Sequence, residues 1–181
     1  MGKLNDMIIC ILGKSGCGKT TIAEKLYDEY GYVMLNSYTT RQKRSKDEIG
    51  HIFITEEEYQ SLPNKVATNY FNGSHYCATE EQIENSDIYV VDPPGLKQLK
   101  ELYQGKKKIV SIFIDVPMDV CLYRMRKRGD EEDKCWERLR NDDSVFRGCK
   151  GDCNYVLNGI PENTWFEVNQ LIRRESRGVF D

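Results

Sequence analysis

The feature that most constrains the fold is a glycine-rich segment, GKSGCGKT, at residues 13–20. It matches the pattern G-x-x-x-x-G-K-[ST] at every fixed position, including Lys19 and Thr20. The apolar run Met7–Leu12 precedes it and predicts a buried strand, and apolar residues at helical spacing follow it until Gly31. A strand, a glycine loop and a helix in this order predict a site where backbone N–H groups surround phosphate oxygens. An ordinary glycine turn between a strand and a helix is the alternative.

Each residue type in this loop has a chemical reason to be there. Glycines let the backbone bend so that successive N–H groups point inward, and the helix N-terminus adds its positive end. A lysine here neutralises β- and γ-phosphate oxygens, and a threonine hydroxyl ligates Mg²⁺. The segment therefore predicts ATP and Mg²⁺ as cofactors. Its predicted ATP-binding residues are Gly13, Lys14, Ser15, Gly16, Cys17, Gly18, Lys19, Thr20 and Thr21.

Short apolar runs alternate with helical patterns along the rest of the chain. The predicted strands are Met7–Leu12, Tyr32–Leu35, Ile88–Val91, Ile109–Val116 and Tyr155–Leu157. The predicted helices follow the glycine loop, lie near residues 56–62 and 94–104, begin at Met118, and close the chain over residues 162–173. This alternation predicts an α/β fold in three layers, with a parallel sheet flanked by helices.

Two polar segments fit neither a sheet nor a covering helix. Residues 36–86 are polar and predicted to be irregular apart from one helix, and residues 125–147 carry dense charge. Excursions of this kind between core elements are often binding subdomains or lids. We expect one domain over residues 1–181. Its core comprises residues 1–35, 87–124 and 148–181, with an acceptor-binding region at 36–86 and a lid at 125–147.

Composition narrows the functional classes. The net charge of −3 over 181 residues argues against a general nucleic-acid binder. The run Met7–Leu12 is too short for a signal peptide or a membrane span, so no membrane partner is expected. Seven cysteines without a secretory segment indicate reduced thiols in a cytoplasmic protein. Cys149 and Cys153 have C-x3-C spacing, but no second pair of metal spacing accompanies them.

The segment NSYTTRQKRSKDEIGHIF, residues 36–53, predicts a second anion site. Arg41 and Arg44 are three residues apart and follow a run of hydroxyl side chains, and Tyr76 offers a further donor. Guanidinium groups bind phosphate oxygens bidentately, so such a segment suits an acceptor that is itself a phosphate ester. The alternative is a solvated loop.

Asp92 and an arginine cluster complete the candidate site. Asp92 follows the strand Ile88–Val91 directly, at the edge where ligands bind in open α/β sheets, and a carboxylate there can hold Mg²⁺ through water. The alternative is a loop-starting aspartate. The cluster comprises Arg124, Arg126, Arg128, Arg138 and Arg140. A salt-bridged helix face explains it equally well on its own, but mobile arginines beside a phosphate loop can stabilise charge during phosphoryl transfer.

With these segments in place, the chain resembles the guanylate kinase family of nucleoside monophosphate kinases from about Met7 to Asn158. The resemblance rests on GKSGCGKTT, on Ser37 and TTR followed by Arg44, and on NGSHYCAT. It continues through IFIDVPMDVCLYRMRKRG, the later ERL and NYVLN. It implies ATP-dependent phosphoryl transfer to a small nucleotide, by default GMP or dGMP.

The resemblance also implies roles for single residues. Ser37, Arg41, Arg44 and Tyr76 would bind the acceptor phosphate, and His51 stands where the family has a phosphate-contacting tyrosine. The donor phosphates and the transferred group would be bound by Lys19, Arg124, Arg128 and Arg138. Asn158 would lie near the adenine of ATP.

The guanine-reading positions depart from the family pattern. Ala67 replaces a glutamate, Ala78 replaces a serine or threonine, and Pro94 replaces the second acid after Asp92. A lost carboxylate forfeits a charge-assisted hydrogen-bond pair with guanine, worth about 1.5–3 kcal/mol elsewhere. Two alternatives therefore stay open. One is a kinase of the same fold acting on another nucleoside monophosphate or a ribose bisphosphate. The other is a non-catalytic module that binds phosphorylated peptides.

Overall fold

The computed structural model describes residues 4–43, 50–71 and 73–178 and contains two four-stranded sheets. The strands in chain order are β1 (Met7–Leu12), β2 (Ser37–Thr39), β3 (His51–Phe53), β4 (Lys65–Phe71), β5 (Ser74–Thr79), β6 (Ile88–Val90), β7 (Lys108–Asp115) and β8 (Tyr155–Asn158). The helices are α1 (Lys19–Tyr30), α2 (Glu56–Ser61), α3 (Glu80–Asn85), α4 (Pro93–Leu102), α5 (Met118–Lys127), α6 (Glu132–Val145), α7 (Cys149–Asp152) and α8 (Thr164–Ser176).

The central sheet has the order β6-β1-β7-β8 with all neighbours parallel. Every residue of β1 is buried, because side chains on both faces of the sheet pack against other elements. Ile9 and Ile11 pack on one face with residues of α1, α5, α6 and α8. Ile8 and Cys10 pack on the other face with residues of α3, α4 and β4. The predicted three-layer α/β arrangement is confirmed.

The second sheet has the order β3-β2-β5-β4 and lies in the segment that the sequence predicted to be irregular. Parallel pairing joins β2 to β3, and antiparallel pairing joins β2 to β5 and β5 to β4. Two of these strands have only three residues, so no hydrophobic period marks them. Pairing between strands and packing of β4 against α4 hold the sheet together, and neither contact is visible in local sequence.

Two other predicted elements differ from the structure. Tyr32–Leu35 forms only an isolated parallel bridge, from Met34 to Ile88, and the side chain of Asp87 accepts the N–H of Val33. The helix predicted from Met118 is broken into α5 and α6 at Gly129, which has a φ of 90°. None of the helices in the described ranges combines the length and apolar character needed to cross a membrane.

A buried charged pair ties the start of the chain to the central sheet. Asp87 accepts hydrogen bonds from the N–H groups of Leu4 (2.7 Å) and Val33 (2.8 Å). The Lys107 ammonium lies 3.9 Å from Asp87 Oδ1 and also donates to the carbonyl of Ser86. Both side chains are almost fully excluded from water. A carboxylate buried in this way depends on every one of these partners.

Candidate functional site

The glycine loop joins β1 to α1 and has the backbone geometry that phosphate binding requires. Gly13 has a φ of 151° and Gly16 a φ of 79°, both in the region that side chains disfavour. A Cβ at Gly13 would lie 2.7 Å from the carbonyl oxygen of Ile114, and one at Gly16 would lie 2.5 Å from that of Cys121. Only glycine fits these positions, because the loop passes directly over the backbone of neighbouring elements.

Lys19 lies along the inside of this loop. Its ammonium group donates to the carbonyl oxygens of Gly13 (2.6 Å) and Lys14 (3.0 Å). These bonds hold the positive charge at the mouth of the loop, where bound phosphates would need it.

Two large clefts open on either side of the loop. The first, here called the donor cleft, has a volume of about 710 Å³ and includes the loop, the start of α1 and the segment before α8 in its walls. The second, the acceptor cleft, has a volume of about 640 Å³ and lies between the loop, the second sheet and α6. Three residues line both clefts: Ser15, Lys19 and Arg138. A group carried from one cleft to the other would pass these side chains.

Three predicted arginines line the donor cleft, and each is held by neighbouring groups. Arg124 donates to the carbonyl oxygens of Cys17 (3.1 Å), Gly159 (2.9 Å) and Ile160 (3.2 Å). It therefore braces the glycine loop against the segment before α8, because backbone carbonyls occupy its donors.

Arg128 and Arg138 share a single carboxylate. Arg128 Nε donates to Asp130 Oδ1 at 3.0 Å, and Arg138 Nη1 donates to Asp130 Oδ2 at 3.2 Å. The hydrogen bond to Asp130 raises the pKa of the Arg128 guanidinium. Asp130 itself lines neither cleft and is a common hydrogen-bond partner of the two arginines.

The acceptor cleft brings together most of the predicted acceptor residues. Ser37 Oγ lies 3.0 Å from His51 Nδ1, and the rings of His51 and Tyr76 are 5.7 Å apart. Asp92 also lines this cleft, where Oδ1 accepts the N–H of Gly95 (2.8 Å) and caps α4. The result is a polar surface of hydroxyl, imidazole and carboxylate groups opposite Lys19.

The positions that depart from the family pattern also meet in space. Ala67 and Ala78 are paired directly across β4 and β5, and both are buried. Ala67 lines the acceptor cleft. Methyl groups therefore stand where the resemblance would place hydrogen-bonding side chains.

Other predicted residues lie elsewhere. The Arg41 guanidinium lies over the ring of Phe53, 5.3 Å from its centroid, and is outside the lining of the acceptor cleft. Arg44 is outside the described residues. Asn158 is not part of the donor cleft wall, and its Oδ1 accepts the N–H of Ile160 (3.0 Å). Thr20 lines the donor cleft and Asp92 lines the adjoining acceptor cleft, and their roles toward Mg²⁺ stay predictions.

The structure adds contacts that sequence reasoning missed. Asp142 of α6 is buried in the acceptor cleft wall, and its Oδ2 accepts the backbone N–H of Ser15 at 2.6 Å. Asn69 Nδ2 donates to Asp92 Oδ2 at 2.5 Å. Asp142 lies four residues after Arg138 and therefore on the same face of the helix. This spacing is the one sequence signal that could have indicated a role for Asp142. It does not reveal that this face meets the glycine loop.

Sequence comparison shows which known proteins this chain is similar to. A family model described as an AAA domain matches residues 9–145. The guanylate kinase of Prochlorococcus marinus subsp. pastoris is 32% identical over 188 residues, covering 96% of this chain and 100% of the relative. The guanylate kinase of Clostridium acetobutylicum is 30% identical, covering 93% and 86%.

A solved structure extends the agreement to the fold. The crystal structure of guanylate kinase from Anaplasma phagocytophilum aligns with a TM-score of 0.72 at 22% identity, covering 97% of this chain and 88% of that one. At this identity the match establishes the fold alone. The sequence relatives, which span nearly all of both chains, establish more. This chain belongs to the guanylate kinase family.

Proposed function

We propose that the protein transfers the γ-phosphoryl group of ATP to the phosphate of GMP or dGMP. The observation that carries this proposal is the pair of clefts that share Ser15, Lys19 and Arg138. A donor bound on the glycine loop and a phosphate ester bound at Ser37, His51 and Tyr76 would meet at these shared residues. The relatives named guanylate kinase support GMP as the acceptor. They do not favour another acceptor or a non-catalytic module.

The chain's own groups are suited to positioning and charge neutralisation. Loop N–H groups and Lys19 hold donor oxygens, while Arg128 and Arg138 offset charge on the transferred group. A dianionic phosphate is already nucleophilic, so an acceptor oxygen bonds to the γ-phosphorus as the bond to the β-phosphate oxygen breaks. ADP leaves with that electron pair, and no general base is needed.

Thr20 fits the Mg²⁺ that this chemistry uses. Its hydroxyl lies at the N-terminus of α1 in the donor cleft. Mg²⁺ commonly takes one or two protein oxygens and completes its shell with phosphate and water, so a single hydroxyl is a sufficient donor set here. When bound, the ion neutralises charge on the phosphate oxygens. The role predicted for Asp92, which is to hold Mg²⁺ through water, stays a prediction, and Asp92 lines the adjoining acceptor cleft.

Three parts of the sequence interpretation stay predictions. One is the division into a core, an acceptor-binding region (36–86) and a lid (125–147). The separate four-stranded sheet within residues 36–86 supports this division. The roles of Arg41 and Asn158 rest on the resemblance. The cytoplasmic location is a prediction as well.

The direct test is a coupled assay of ADP release over all ribo- and deoxyribonucleoside monophosphates. We expect GMP and dGMP to be the preferred acceptors. Preference for another monophosphate would overturn the acceptor assignment. Tight ATP binding without turnover on any of them would overturn the enzyme assignment.

Arg41→Ala is expected to raise the KM for GMP about 10- to 100-fold, because a charge-assisted phosphate contact is worth about 1.5–3 kcal/mol. Lys43→Ala is the matched control, since the Lys43 ammonium lies over the same Phe53 ring at 5.2 Å. The Lys43 variant should keep the wild-type KM. Equal effects of the two substitutions would mean that the loss arises from packing on Phe53.

Asp142→Ala is expected to lower kcat about 10- to 100-fold, with the thermal midpoint as a second readout. The substitution leaves the N–H of Ser15 without its charged acceptor and detaches the helix face that carries Arg138. Asp143→Ala removes an exposed carboxylate of the same helix, 3.4 Å from Lys14 Nζ, and should be nearly neutral. Indistinguishable kinetics for the two variants would contradict a role for the Ser15 contact.

A further inference from the structure

The family pattern has two hydrogen-bonding side chains where the acceptor base would lie, and this chain has alanine at both positions. Ala67 lines the acceptor cleft with a methyl group. Ala78, which is paired with Ala67 across β4 and β5, is fully buried and lies outside the cleft lining. The side chains at positions 67 and 78 therefore offer an acceptor base neither a donor nor an acceptor.

A polar side chain reaches the same region from the central sheet. Tyr89 of β6 belongs to the same cluster of buried side chains as Ala67 and Ala78, and it lines the acceptor cleft. Alternation along β6 accounts for its direction, because the preceding Ile88 packs in the core cluster on the opposite face of the sheet. Tyr89 thus adds a phenol to the region where two methyl groups stand in place of polar side chains.

The Tyr89 hydroxyl has no hydrogen-bond partner among the residues that the structure describes. The residue is only 6% exposed, and a buried tyrosine usually pairs its hydroxyl. Tyr32 shows the usual case, because it is 2% exposed and its hydroxyl donates to Asn169 Oδ1 at 3.1 Å. The Tyr89 oxygen is not closed off from solvent, so its open side is the cleft that Tyr89 lines.

Asp92 lies close enough to influence this phenol but does not take up its proton. Burial, and after it the charge of the Asp92 carboxylate, raises the pKa of Tyr89. Both oxygens of Asp92 already accept protein hydrogen bonds, Oδ1 from the N–H of Gly95 (2.8 Å) and Oδ2 from Asn69 Nδ2 (2.5 Å). These contacts hold Asp92 in place and leave the O–H of Tyr89 as a donor for a ligand.

We infer that the Tyr89 hydroxyl donates a hydrogen bond to the exocyclic O6 of the acceptor guanine. It would replace, from β6, the hydroxyl that the family pattern has on β5 at Ala78. Guanine O6 is an acceptor, and a phenol O–H is a donor. The inference rests on the proposed function in taking GMP as the acceptor, and it adds a residue that determines how the base is bound.

The test has to weaken the acceptor at position 6 of the base. A hydroxyl both donates and accepts, so the amino group of adenine could pair with it as well, and a comparison of GMP with AMP would not isolate the contact. The matched probe is 6-thioguanosine monophosphate, which keeps the N1–H and the 2-amino group and replaces O6 with sulfur, a weaker acceptor.

We expect the wild type to show a kcat/KM for GMP about three- to tenfold above that for the thio analogue, as one neutral hydrogen bond would give. In Tyr89→Phe, which keeps the ring and loses only the hydroxyl, the two values should agree within about twofold. Initial rates of ADP release measure both. A ratio near one in the wild type, or the wild-type ratio in Tyr89→Phe, would overturn the inference.

Tyr32→Phe is the matched control, since it removes the hydroxyl of a buried tyrosine outside both clefts. It should lower the thermal midpoint, because the bond to Asn169 is lost, and keep the wild-type ratio for GMP and its thio analogue. Tyr89→Phe should keep the wild-type midpoint, because no described residue pairs with the hydroxyl. A lowered midpoint in Tyr89→Phe together with an unchanged ratio would show that the hydroxyl serves the fold alone.

Calorimetric titration gives a readout without turnover. The Kd for GMP should rise about three- to tenfold in Tyr89→Phe, whereas the Kd for ATP should stay unchanged because Tyr89 lies outside the donor cleft lining. An unchanged Kd for GMP in the folded variant would contradict the inference. Absence of GMP phosphorylation by the wild type would instead contradict the proposed function.

Discussion

Replacing Arg138 with alanine is expected to reduce kcat by about 10³- to 10⁵-fold, the range found for arginines that stabilise a transferring phosphoryl group. Arg138 lines both clefts together with Lys19, so its charge lies where the transferred group would pass. The hydrogen bond from Arg138 Nη1 to Asp130 (3.2 Å) holds the guanidinium at this point. The loss should appear in kcat more than in either KM, because the contact is strongest in the transition state.

Arg140→Ala is the matched control for this experiment. Arg140 is on the same helix and is exposed, but it lines neither cleft. Its removal should change kcat less than twofold to threefold, in keeping with a solvated surface charge. Initial rates of ADP release at saturating ATP and GMP give both values. A loss below tenfold for Arg138→Ala, or an equal loss for Arg140→Ala, would contradict the placement of Arg138 at the transfer point.

Replacing Asp87 with alanine is expected to lower the free energy of unfolding by about 3–5 kcal/mol. The substitution leaves the Lys107 ammonium buried without its carboxylate and removes the acceptor for the N–H groups of Leu4 and Val33. A loss of this size is a large fraction of the stability of a typical domain. Urea denaturation at 25 °C, followed by circular dichroism, measures it.

Two further variants separate the causes of this loss. Asp87→Asn retains one oxygen that can accept a backbone N–H and should fall between wild type and the alanine variant. Glu101→Gln removes an exposed i,i+4 partner of Lys97 and should change the unfolding free energy by less than about 0.5 kcal/mol. An Asp87→Ala protein within about 1 kcal/mol of wild type would show that solvent replaces the lost contacts.

The parts of the site that sequence predicted share a physical origin. The glycine loop can be recognised in the sequence because only glycine fits at Gly13 and Gly16. Both have a positive φ, and a Cβ at either would clash with a neighbouring carbonyl oxygen. The central strands can be predicted because a strand that is buried on both faces requires a continuous run of apolar residues. The family resemblance added Ser37, His51 and Tyr76, which the structure brings into one cleft.

The parts that sequence did not predict depend on which surfaces meet. The second sheet has strands too short and too polar for a periodic signal, and its stability comes from pairing and from α4. Asn158 matches the family pattern, yet its side chain turns to the N–H of Ile160. Arg41 likewise matches, yet its guanidinium lies over Phe53.

By itself, then, the sequence determined the phosphate loop, the three-layer α/β class and the family, because each follows from local backbone limits or from residue patterns along the chain. Only the tertiary structure decided that Arg138 borders both clefts, that Asp142 holds the N–H of Ser15, and that Tyr89 lines the acceptor cleft. The contact between Asp142 and Ser15 joins residues 127 positions apart. It depends on where α6 packs relative to the glycine loop, which local sequence patterns do not encode.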